Sequence, residues 1–151
     1  MAYAQAMRLQ ATAFLLALVC SPGAASSPDT LVTNGGFESG LGGWRPLWCR
    51  HSGAGSLSLD EQVFHSGTNA ARIEHSGAED WSLEPELRVP ARAGDIFEWQ
   101  AWVRLQGEGS ATLCVSTWDA RGQNVSWSDG ERTVHAGQSW QQLRSRFMVP
   151  P

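Results

Sequence analysis

Residues 96 to 105, IFEWQAWVRL, repeat with a period of two, which confines them to an extended strand with one side in a core. Phe97, Trp99, Ala101, Val103 and Leu105 take the core side, and Ile96, Glu98, Gln100, Trp102 and Arg104 take the other. Segment 111 to 118 repeats the pattern: Ala111, Leu113, Val115 and Thr117 face in, and Thr112, Cys114, Ser116 and Trp118 face out. Near the end Leu143, Phe147 and Val149 oppose Gln142, Arg144 and Arg146. Segment 81 to 89 alternates as well, although Pro85, lacking an N–H, marks an edge or a bulge. Shorter strands are predicted over 31 to 38, 70 to 75 and 124 to 134, and loops over 52 to 56 and 107 to 110. No helical period appears outside the first residues. The fold class is therefore all-β, and strands apolar on one side pack most simply as a two-sheet antiparallel β-sandwich of jelly-roll type.

The apolar run at 14 to 19 is too short to span a bilayer and, behind Arg8 and ahead of Gly23, Ala24, Ala25 and Ser26, reads as a signal peptide over residues 1–26. A retained anchor is the weaker reading, and Val19 before Cys20 speaks against a lipoprotein cut. The expected location is secreted or extracellular, or else periplasmic or on the cell surface. Residues 27–151 are one domain's worth of chain. Losing Arg8 takes the formal charge from −4 to −5, which favours solubility and gives nothing to attract nucleic acid or an anionic membrane. No membrane insertion is expected.

An even pair of cysteines, Cys49 and Cys114, survives the leader, and in an exported chain such a pair points to a disulfide, with two separate buried thiols as the alternative. The histidines at 51, 65, 75 and 135 fall at no zinc-ligand spacing and read as loop or surface residues. In NGGFESGLGGW, residues 34 to 44, the run Asn34, Gly35, Gly36 makes a turn that drops Phe37 into the core. Glu38 is left beside a flexible backbone, an arrangement suited to a structural cation.

Five segments in this order, LVTNGGFESGLGGW, HSGTNAARIE, VPARAGDIFEWQAWVRLQG, ATLCVSTWDARG and SWQQLRSRFMVP, together resemble the carbohydrate-binding modules of families 4, 9 and 22. The resemblance spans nearly all of residues 27–151. It implies a galactose-binding-like jelly roll that holds a polysaccharide or oligosaccharide on a concave face or at loop tips and performs no chemistry. It also implies an accessory role beside a covalently linked glycoside hydrolase domain, whose catalysis would lie beyond residue 151. Members of the family end in a strand with paired aspartates that often helps to hold one structural calcium ion, and no such strand precedes Pro151. Glu38 and the main-chain oxygens of His65, Ser66 and Gly67 are the ligands the resemblance would leave for that ion. An open sheet edge is the expected consequence.

A sugar needs an aromatic platform for its C–H face and planar hydrogen-bonding groups for its hydroxyls. Trp102, between Gln100 and Arg104 with Glu98 on the same face, meets that need best. Trp118 and Ser116 join it if the strands 96 to 105 and 111 to 118 are neighbours, and Arg72, Glu74, Gln142 and Arg144 are further candidates. Among the other tryptophans, Trp81 and Trp99 belong to the core, Trp44 to the opening turn and Trp140 to one end of the sandwich, while Trp48 and Trp127 allow either role. No enzyme is expected. Glu84 with Glu86, and Glu79 with Asp80, come with no acid, base or nucleophile motif and read as solvated charge. The competing reading is a spacer or adhesion sandwich on a cell surface that binds no sugar.

Overall fold

The computed structural model describes the backbone of residues 9–12 and residues 31–137 and 139–151. Most of the segment expected to be a leader, including its apolar run, therefore lies outside the described residues. Nine strands follow in order: β1 (Leu9–Thr12), β2 (Trp48–Cys49), β3 (Gly55–Asp60), β4 (Ala70–His75), β5 (Trp81–Ser82), β6 (Ile96–Leu105), β7 (Ser110–Trp118), β8 (Asn124–His135) and β9 (Gln141–Met148). Among the described residues no helix is long and apolar enough to cross a membrane.

All the pairings are antiparallel. One sheet runs β3-β4-β1-β6-β9, while β2 with β5 and β7 with β8 make separate two-stranded ladders. The alternation read in β6 decides which residues lie inside, since Ala101, Val103 and Leu105 are buried while Gln100, Trp102 and Arg104 are not. Their buried partners are Ile73 of β4, Ala111 of β7 and Val134 of β8, so the core lies between the five-stranded sheet and the β7–β8 ribbon. Gly130, at φ 63°, lets β8 cross close over β9, where a Cβ would meet Ser145 Oγ at 3.1 Å and Phe147 Cδ1 at 3.2 Å. A side chain there would need those neighbours to give by a few tenths of an ångström and would sit in a strained left-handed backbone.

Several expectations are corrected. Residues 31 to 38 form turns, not a strand, because Asn34 gathers the segment around itself. Its side chain donates to Gly40 O (2.9 Å) and Gly42 O (2.8 Å) and accepts from Ser39 N (3.0 Å), and its carbonyl accepts from Trp44 Nε1 (3.1 Å). Phe37, held at a positive φ of 60°, is 1% exposed and packs its ring 5.0 Å from that of Trp44. Burying a ring of that size is worth roughly 1.5–3 kcal/mol, which offsets the left-handed backbone.

Segment 81 to 89 shrinks to β5 and one bridge, Trp44 to Pro85, because its backbone bonds to the opening region instead of to a long strand: Arg45 N donates to Glu84 O and Glu86 N to Gly43 O. Conversely, part of the loop expected at 52 to 56 belongs to β3, where Leu57 and Leu59 turn inward and Ser56 and Ser58 outward. Strands β6 and β7 are not neighbours, since β6 lies between β1 and β9. Cys49 and Cys114 are both free thiols rather than a bridge. They sit on different ladders, the Cys49 sulfur against Gly55 and the Cys114 sulfur 3.4 Å from the Trp127 carbonyl.

Candidate functional site

The outward side of β6 and β9 carries the residues singled out around Trp102, and register explains how they meet. Trp102 lies opposite Gln142, Gln100 opposite Arg144, and Glu98 opposite Arg146. Diagonal contacts then link the rows, with Gln142 Nε2 donating to Gln100 Oε1 at 3.3 Å and the Arg144 guanidinium paired with the Glu98 carboxylate. The result is a rank of amide, carboxylate and guanidinium groups beside one indole. Arg72 stands farther across the same sheet, where its Nη2 meets Glu74 Oε1 at 2.7 Å and its Nη1 lies 3.8 Å from Asp60 Oδ2. Strand β1 separates it from β6. Arg104, in register with Gln10 of β1, has its Nε buried without a hydrogen-bond partner among the described residues.

Trp102 is not bare. The His65 imidazole stacks on it at 3.9 Å with the planes 12° apart, and Trp140 meets His65 edge-on at 5.9 Å. His65 arrives on loop 61–69, which is tied at both ends. At its start, the buried Asp60 accepts from Gln62 N (2.9 Å) and Val63 N (2.8 Å) through Oδ1. Toward its end, Glu38 accepts from Thr68 Oγ1 (2.6 Å) and from Thr68 N (3.1 Å). These bonds, the hydroxyl first and the amide second, hold the Glu38 carboxyl below its usual 4.5. Gly67, at φ 73°, brings the turn against the carboxylate, and a Cβ there would run into Glu38 Oε1.

Glu38 and Gly67, expected to serve a cation, thus meet each other, but Glu38 faces an N–H and a hydroxyl of Thr68, which are donors to it. Among the described residues there is no group of three His, Cys, Asp or Glu able to hold a metal ion. The arrangement here is an anchor for the loop that covers Trp102. Sequence reasoning missed His65 as a partner of Trp102; the one available signal was its place in a turn of Ser66 and Gly67 ahead of β4.

Trp118 belongs to a second aromatic group, away from β6, on the β7–β8 ribbon. Its ring meets that of Trp127 edge-on at 5.2 Å, and the Arg88 guanidinium lies over it at 4.7 Å. Trp127 is 66% exposed, and its carbonyl accepts from both Cys114 and Ser116 at the irregular stretch of the ribbon. Burial of its sulfur, and after that the charges of Glu131, Asp129 and Glu84, push the Cys114 thiol up from 9.0. An otherwise open residue therefore holds a poor nucleophile.

His75, read from sequence as a loop or surface residue, is 3% exposed inside β4 beside Trp81, and neither ring nitrogen has a hydrogen-bond partner among the described residues. It lines an open groove with Gly53, Gly55, Glu74 and Gln106, at the other end of the β3–β4 pair from loop 61–69.

Compared with protein-family models, with curated proteins and with solved structures, the chain finds no match in any of the three.

Proposed function

We propose that this chain is a secreted, non-catalytic carbohydrate-binding module of jelly-roll type that takes a polysaccharide or oligosaccharide on the outward face of β6 and β9. One observation carries the reading: Gln100, Gln142, Glu98 and Arg144 form a linked rank of planar hydrogen-bonding groups alongside Trp102. Such groups match the hydroxyl rim of a sugar, and an indole matches its C–H face.

A pyranose stacking on that indole needs the place His65 holds at 3.9 Å, so in this reading the sugar displaces His65. The displaced stack is worth about 0.5–1.5 kcal/mol, less than the indole and several hydroxyl contacts return. Residues 1–26 are the leader in this reading, and a linked glycoside hydrolase domain supplies any chemistry. A structural calcium ion, if the module takes one, falls to Glu38 and the main chain at His65, Ser66 and Gly67. Affinity electrophoresis against a polysaccharide panel tests the proposal: retardation that Trp102→Ala removes supports it, and free migration on every polymer overturns it.

A spacer or adhesion sandwich is the second reading, and the roofed Trp102 favours it. An indole already stacked and edge-packed by His65 and Trp140 needs no ligand to complete it.

A further inference from the structure

Strands β4 and β6 run parallel to each other and share no hydrogen bonds, and between them is room for one strand, antiparallel to both. Leu9–Thr12 stand in that place. Leu9 is level with Ile73 and Leu105, and Ala11 with Ala71 and Val103, and these four neighbours are among the most deeply buried residues of the protein. Among the described residues the insert is short for its walls: it spans four residues where β6 has ten, and pairs with β6 over Trp102–Leu105. It also comes from the segment whose charge, apolar run and small-residue cut read as a leader.

We propose that the gap between β4 and β6 is an acceptor slot for one extended peptide strand, apolar at alternate positions, and that Leu9–Thr12 fill it as a detachable insert. The physical ground is main-chain accounting. Flanking backbone N–H and C=O groups at the core of a sheet need partners, and a closely fitting strand satisfies both edges at once. A strand held by four residues is one that a longer strand of the same pattern replaces. Cleavage near Ser26 would therefore leave the slot open to such a strand in trans. The slot shares the leader assignment with the proposed function but not its sugar binding, because it concerns main-chain edges and not the Trp102 side chain.

Native-state hydrogen exchange on the full chain tests this. With the slot filled, every second amide along Ala71–Ile73 and Val103–Leu105, the set that faces β1, should be protected about as strongly as Val134, and protection should extend into Gln10 and Ala11. Ala11→Pro removes a ladder donor and should cut protection at the slot walls about tenfold or more, while leaving Val134 protected. A synthetic peptide of residues 7 to 14, MRLQATAF, should restore the walls, and the same peptide with proline at the Ala11 position should not. Unchanged walls in Ala11→Pro, or no rescue by MRLQATAF, overturn the proposal. If the variant fails to fold, the unsubstituted chain decides: protected Val134 beside freely exchanging slot walls overturns the proposal, and protection continuing into Gln10 and Ala11 supports it.

Discussion

The two tryptophan groups differ in what lies on top of them. On the five-stranded sheet, Trp102 is roofed by His65 on a loop that Asp60 and Glu38 pin down, with polar pairs ranked beside it. On the β7–β8 ribbon, Trp127 is left open to solvent, while Trp118 lies under Arg88. Exposure alone would favour the ribbon as a binding surface, whereas the proposed reading rests on the hydrogen-bonding groups that converge on the sheet. Bare aromatic area and converging polar groups thus fall on different surfaces of this molecule, and the proposed site follows the second.

The largest effect that would break this comparison is on the sheet. Trp102→Ala should weaken retardation on a bound polysaccharide by tenfold or more, about 1.4 kcal/mol, while Trp127→Ala leaves it unchanged; the reverse ranking moves the site to the ribbon. His65→Ala should tighten binding by up to about tenfold, since the stack to be displaced is worth roughly 0.5–1.5 kcal/mol. Titration calorimetry reads this, and weaker binding would make His65 part of the platform and not its cover.

A pH effect comes next. Glu38 is held below 4.5 by Thr68, so its contribution to stability is complete above pH 4.5 and disappears as pH falls through the lowered folded value. Thermal melts should show Glu38→Gln losing less on acidification than the parent chain, and parallel curves would mean that the Thr68 bonds do not hold the loop. In the same melts, added calcium should raise Tm only if Glu38 also serves a cation. The smallest effects belong to the ribbon: Trp127→Ala should shift stability by no more than about 0.5 kcal/mol in urea denaturation. Cys114 should react with iodoacetamide more slowly than a small free thiol at pH 8, because its raised pKa leaves little thiolate.

Much of the local structure was legible. The inward and outward sets of β6 and β9 follow from alternation, β7 keeps the pattern only at its start before its bulges blur it, and 70 to 75 is a strand as its pattern suggests. Strand β3 went unread because the glycines and serines at 52 to 56 mask the alternation of Leu57 and Leu59. Residues 31 to 38 looked extended, but a single asparagine side chain folds them by bonding to carbonyls up to eight positions away. Of the candidate site, the Glu98, Gln100, Trp102 face was readable, whereas the cover by His65 and the removal of Trp118 to another ladder were not.

The sequence by itself determined which side of each main strand a residue occupies, because side chains alternate along any extended backbone whatever lies beside it. Only the tertiary structure decided which strands are neighbours, that Cys49 and Cys114 remain apart, and that a histidine from a distant turn lies on Trp102. Those outcomes depend on edges, loops and charges far apart in the chain, and no local period records how such remote pieces balance.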